Sequence, residues 1–165
     1  MKRINLILQN TQFRDCLKRI EAAEKDRIFC GHDLVHLLDV CRLAWILYQE
    51  EERKGTLGKI DREWIYAAGL LHDIGRWKQY EDGTPHEIVG SSLAKGILTE
   101  CGFGAGETKA ICEAIGNHRN EGIGRDNTLS GLLYRADKMS RACFGCKAEA
   151  LCNWSRKKKN LELLL

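Results

Sequence analysis

Apolar residues recur along most of this chain at spacings of three and four, the repeat of a helix with one buried face. Phe13, Leu17 and Ile20 share such a face and predict a helix over Thr11–Arg27, closed by a loop at Phe29, Cys30 and Gly31. The wider stripe of Leu34, Leu37, Leu38, Val40, Leu43, Ala44 and Leu47 predicts a longer, bundle-buried helix from about Asp33 to Arg53, broken by Gly55 and Gly58. Asp61 suits the N-cap of a third helix through Trp64, Ile65, Ala68 and Leu71, which stops at Gly75 with the sequence HDIGR in its last turn. Thr84-Pro85-His86-Glu87 has the form of a capping box with proline at the first helical position. It predicts a helix through Ile88 to Thr99 and places His86 in the first turn. Further stripes predict helices over Glu107–His118, Thr128–Phe144 and, as a short seventh, Ala148–Trp154. No strand pattern or internal repeat interrupts them, so the expected fold is an all-α bundle of six or seven helices.

At 165 residues the chain suits one domain with a real core, so a single domain over 1–165 and one site are expected. Apolar residues at 44% and charged residues at 30% give a soluble, globular balance. The net charge of +3 is too mild for a dedicated nucleic-acid surface, and the basic run Arg156–Lys159 reads as a solvated tail. Eight cysteines would suggest disulfides in a secreted protein. The segment Met1–Asn10 has no small-residue cleavage site, and no run approaches the roughly 20 apolar residues of a membrane span. The chain is therefore expected to be cytoplasmic, with reduced thiols acting mostly as small core side chains.

The chemistry lies in the histidines. All five, His32, His36, His72, His86 and His118, fall at or near predicted helix ends or on a helix beside the loops, where a cleft could collect them. Imidazole and carboxylate are the usual ligands of Zn, Mn, Fe, Ni and Co, and bundles build metal sites from such groups on several helices. His72-Asp73 would project about 100° apart on a helix, so both reach one ion only near the helix end, an arrangement of little structural use. Asp137 sits in an otherwise apolar stretch, where a carboxylate is costly to bury unless it is paired or bound to metal.

With these residues in this order, the chain resembles the HD-domain superfamily of metal-dependent phosphohydrolases over roughly residues 30–145. His36, four residues before Val40, matches that family's first histidine ligand. His72-Asp73 in HDIGR matches the namesake pair, and Asp137 in RADKMSR matches the closing aspartate. His32, four residues before His36, competes with it as first ligand. His86 in HEIVGSSLA and His118 in AIGNHR resemble the further ligands of two-metal members, in which Asp73 would bridge two ions. Alternatively, these two histidines line the cleft of a one-metal enzyme and bind phosphate.

The resemblance implies hydrolysis of a phosphoester or phosphoanhydride in a small, nucleotide-like substrate through a metal-activated water, with one or two divalent ions of Mn, Fe, Zn, Co or Ni. Asp73 is the carboxylate expected to orient that water. Arg76 and Arg141 are candidates to neutralise the transferring phosphoryl group, and His32 and Lys138 are candidate substrate contacts. Two rivals use the same frame: an HD-type di-iron oxygenase with the full six-residue ligand set, and a nucleotide-sensing module without turnover. Cys143, Cys146 and Cys152 could seat a second metal, but a structural zinc needs four ligands. Locally none is obvious, so Cys112 or Cys101 would have to be recruited.

Overall fold

Each long apolar stripe folds as a helix, and two helices that the pattern did not announce join them. The computed structural model describes residues 1–163. Its α-helices are α1 (Lys2–Gln9), α2 (Thr11–Ala23), α3 (Leu34–Arg53), α4 (Arg62–Leu71), α5 (Arg76–Asp82), α6 (His86–Glu100), α7 (Ala105–Asn117) and α8 (Leu129–Met139). Short 3-10 turns, but no strand, accompany them among the described residues, so the fold is all-α. None of the described helices is long and apolar enough to cross a membrane.

Local chemistry sets most starts. The Asn10, Asp33 and Thr128 side chains accept the N–H groups of Phe13, His36 and Gly131, and Asp61 accepts that of Glu63. The start of α6 differs from expectation. Pro85 is its N-cap, and Thr84 instead donates its hydroxyl to Asp82 at 2.6 Å, so His86 becomes the first helical residue. Three ends also move: α2 stops at Ala23, α4 at Leu71 and α8 at Met139. The expected helix over Ala148–Trp154 is only a 3-10 turn at Glu149–Leu151, because Leu151 is exposed and Trp154 packs on Arg141 at the surface, so neither reaches the core.

The centre of the bundle is α3 packed on α4 and α8, with α7 closing on α6 and α8. Leu37, Val40, Leu70, Leu71, Ile111, Ile115 and Leu132 are fully buried there. Glycine permits two close approaches. A Cβ on Gly69 would lie 2.6 Å from Cys41 Sγ, so α3 and α4 cross nearly backbone to backbone.

Gly75 matters more to the site. It ends the turn after Asp73, and a Cβ there would lie 2.3 Å from the carbonyl oxygen of His86 and 2.6 Å from the Gly90 nitrogen. Backbone atoms cannot rotate away, so Gly75→Ala must part this turn from α6. The expected cost is about 1–3 kcal/mol of stability, read by chemical denaturation, with weaker metal uptake as His86 moves from Asp73.

Candidate metal centre

Six side chains converge from helix ends. His36 is held in the first turn of α3 by the Asp33 cap. His72 and Asp73 occupy the tight turn between α4 and α5, where the Arg76 N–H closes onto the Asp73 carbonyl at 2.9 Å. His86 opens α6, His118 caps the C-terminus of α7, and Asp137 lies in the last turn of α8. All but His36 are buried, and His36 is nearly so. At this helix end the adjacent residues reach one site, with His72 Nε2 3.3 Å from Asp73 Oδ2.

Asp73 divides the set. His36 Nε2 and His72 Nε2 lie 3.6 and 3.3 Å from its Oδ2, whereas His86 Nε2 and His118 Nε2 lie 3.0 and 3.6 Å from its Oδ1. Asp137 Oδ1 joins the first group, 3.7 Å from His36 Nε2 and 3.8 Å from His72 Nε2. His36, His72 and Asp73, and separately Asp73, His86 and His118, keep their ligand atoms within 4.8 Å of one another, the span a single ion needs.

The hydrogen bonds behind the ring decide what these groups offer. His72 Nδ1 lies 2.8 Å from the Gly69 carbonyl and His118 Nδ1 2.7 Å from the Ile115 carbonyl. A carbonyl only accepts, so each Nδ1 carries the proton and each Nε2 turns a lone pair inward. Gln79 Oε1 stands 2.5 Å from His86 Nδ1. Ser140 spends its hydroxyl proton on the Asp137 carbonyl and leaves its oxygen for His36 Nδ1 at 3.4 Å. Lone pairs thus face carboxylate oxygens at 3.0–3.8 Å, an arrangement that repels unless a cation or proton lies between. His36 Nε2, His72 Nε2 and both Asp73 oxygens are buried with no hydrogen-bond partner. Such a donor set fits one or two divalent transition ions.

Charge agrees. Burial works against ionising Asp73, but His72 and Arg76 outweigh it and hold this carboxyl well below its usual range. Burial likewise opposes charge on His72, yet Asp73 and Asp137 push its pKa up. Metal and proton therefore compete for His72 Nε2, and ion uptake should release protons.

The remaining predicted residues border a cleft of about 750 Å³ that opens on the centre. Arg76 Nε is 3.4 Å from Asp73 Oδ1. Lys138 Nζ contacts Asp137 Oδ2 at 2.5 Å. Arg141 stacks its guanidinium over Trp154, 3.8 Å from the ring centre. The basic run is no free tail: Lys158 and Lys159 line this cleft, and Lys159 pairs with Glu149 at 2.7 Å.

His32 is not one helical turn below His36 but lies in the preceding loop. Its Nδ1 is 2.5 Å from Glu24 Oε1, and its Nε2 reaches only to 3.9 Å from Asp73 Oδ2. Glu24 also accepts the Tyr80 hydroxyl at 2.5 Å. Although burial opposes its charge, the His32 and Tyr80 hydrogen bonds lower its pKa to about 2. We expect His36→Ala to lose metal, by at least roughly the 10–100-fold that losing a mere support of a ligand costs, and His32→Ala to keep it. Isothermal titration with Mn on both variants checks this; equal losses would make His32 a ligand.

Glu24, Gln79, Tyr80 and Ser140 escape the sequence reading. None carries a local signature, and each acts only on a histidine brought to it by folding.

With the geometry in place, comparison with known proteins identifies its kind. The model of the HD domain matches residues 34–142. This chain belongs to the HD-domain family. An uncharacterized protein of Clostridium beijerinckii is 42% identical to this HD protein over 99% of both chains. Ribonuclease Y of Oleidesulfovibrio alaskensis is 33% identical over 81% of this chain, which spans only 23% of that protein. Ribonuclease Y of Enterococcus faecalis is 33% identical over 78% of this chain and 22% of its own length. Among solved structures, the 1.45 Å crystal structure of a predicted HD superfamily hydrolase from an uncultured Thermotogales bacterium superposes with a TM-score of 0.62. That match covers 90% of this chain and 81% of the other at 24% identity, a likeness of fold.

Proposed function

We propose that this HD protein is a metal-dependent phosphohydrolase acting on a phosphoester or phosphoanhydride of a small, nucleotide-like substrate. The observation that carries the reading is the sharing of Asp73, whose two oxygens face separate histidine pairs. When bound there, divalent ions would lower the pKa of a water and polarise a phosphoryl oxygen. Two ions are favoured over one by that division.

The chain's own residues supply the rest. Asp73 and Asp137 provide the negative charge that balances the ions. Arg76, half-buried with its Nε turned to Asp73 at 3.4 Å, lines the cleft and offers the rest of its guanidinium to an entering phosphoryl oxygen. Arg141, braced on Trp154, presents a second cation at the other wall. Lys138 is already committed to Asp137, so its part is to hold that carboxylate and its contribution to substrate is secondary. His32, its Nδ1 proton fixed by Glu24, turns Nε2 toward the site as an acceptor for a water or substrate hydroxyl.

The similarity to ribonuclease Y supports hydrolysis over oxidation and makes a ribonucleotide phosphodiester a reasonable member of the substrate class. The six donors would equally suit the two irons of an HD-type oxygenase. A nucleotide and short-RNA panel, assayed for product with Mn-loaded and Fe-loaded protein alongside an oxygen electrode, tests the proposal. Hydrolysis without oxygen uptake is expected. Oxygen consumption coupled to substrate loss would replace it with the oxygenase, and binding of a nucleotide without turnover would replace it with a sensor.

A further inference from the structure

Four cysteines from two distant stretches of chain line one cleft. Cys30 lies in the loop between α2 and α3, and Cys143, Cys146 and Cys152 follow α8. The sequence could not supply a fourth thiol beside the last three. Folding does, and the donor is neither Cys101 nor Cys112. Cys101 is buried in the core and Cys112 packs against it from α7. Cys30 is exposed at the cleft's edge; partial desolvation and then the neighbouring Cys143 push its thiol's pKa up, with Cys146 adding to this and Arg141 opposing it.

The segment after α8 needs a reason to hold its shape. Its regular structure is limited to 3-10 turns at Cys143–Gly145, Glu149–Leu151 and Arg156–Lys158. Phe144 and Leu151 are 55% and 72% exposed, and only Ala148 is a buried apolar side chain within it. Hydrophobic burial therefore contributes little. What fixes it is polar: the Asn160 amide donates to the carbonyls of Lys138, Met139 and Arg141, and the Phe144 N–H donates to the Asn160 carbonyl. Segments without a core of their own commonly rely on a bound metal. Cys143 opens the first turn, Cys146 caps it and Cys152 follows the second, so both turns bring thiols to the lining of the cleft.

We propose that Cys30, Cys143, Cys146 and Cys152 hold a structural zinc-class ion as four thiolates, separate from the histidine–aspartate centre. Arg27, Arg141, Lys158 and Lys159 line the same cleft and would balance the net negative charge of such a site. No three of these sulfurs lie within 4.8 Å of one another among the described residues. Closing to Zn–S distances of about 2.3 Å must draw the loop and turns together, which these irregular segments permit. The ion would tie the loop bearing His32 to the wall bearing Arg141, and so set the width of the cleft's mouth.

Cobalt separates the two sites, because only sulfur ligands give intense thiolate-to-cobalt charge transfer in the near ultraviolet. Full-length protein titrated with Co²⁺ should show that band, and His86→Ala/His118→Ala protein should keep it. Cys143→Ser/Cys146→Ser should lose the band, while Cys30→Ser should bind at least roughly 10–100-fold more weakly. Cys112→Ser should match wild type. Alkylation with mass mapping gives a check that needs no variant: Zn²⁺ should protect Cys30, Cys143, Cys146 and Cys152 and leave Cys16's protection unchanged. Absence of the band, a band indifferent to Cys30→Ser, iron with visible sulfide-cluster absorption, or a disulfide among these cysteines in protein purified under reductant would each overturn the proposal.

Discussion

Asp73→Ala should abolish metal uptake at the histidine–aspartate centre and lower phosphohydrolase activity by roughly 10³-fold or more, while the far-ultraviolet circular dichroism remains that of the helical fold. The size of the effect follows from position. Both oxygens of Asp73 are buried, neither has a hydrogen-bond partner, and each faces a different pair of imidazoles. Removing the carboxylate therefore strips a ligand from both halves of the centre at once. It also removes the anion that keeps Arg76 in place, 3.4 Å away. The fold should tolerate the loss, since Leu70, Leu71 and Ile74 around it carry the packing. Metal content and turnover measured on the same preparation check the expectation; an active, metal-loaded variant would mean that the centre lies elsewhere.

The second large effect separates one ion from two. In His86→Ala/His118→Ala, the pair facing Asp73 Oδ1 is gone, but His36, His72, Asp73 and Asp137 stay complete. Bound metal in the histidine–aspartate centre should fall from about two ions to about one. Activity should fall by orders of magnitude, because clamping of both the attacking and the leaving oxygen is lost. If these histidines only touched phosphate, ion content would hold and the loss would appear in KM or kcat alone. Stoichiometry under identical Mn loading distinguishes the outcomes. A wild type that never takes more than one ion there would sink the two-metal reading.

Much of this was legible in the residues. The proposed donors His36, His72, Asp73, His86 and His118 stand at or near helix boundaries that glycine, proline and capping side chains mark in the sequence, so their convergence could be expected before any fold was seen; Asp137 was expected inside a helix running to Phe144 and lies in a last turn because α8 stops at Met139. Where the reading failed, the cause was tertiary. Helix α5 is seven residues long and buries none of its side chains, so it has no stripe to detect, yet it delivers Arg76, Gln79 and Tyr80 to the site. Helix α1, two basic residues and a short apolar stretch in the sequence, buries Ile4 and Ile7 in the core and is tied down by Arg3 bridging Glu63 and Glu107, 60 and 104 residues away in sequence. Ala148–Trp154 had a helical pattern but no surface to bury it on. Cys30 and Cys143 are more than a hundred positions apart, and only the fold brings them to one cleft.

The ligands and the cleft wall are made of different material. Every proposed donor of the histidine–aspartate centre sits on a helix end or in the tight turn locked by Gly75 against α6, whereas Cys30, His32, Arg141, Trp154 and Lys159 stand on loops and 3-10 turns. Core packing constrains the first group closely and the second hardly at all. Insertions and exchanges in the loops can therefore accumulate without disturbing the catalytic frame. If the proposed function holds, a chain that traded these two stretches for others would keep the histidine–aspartate donors and change what it cuts.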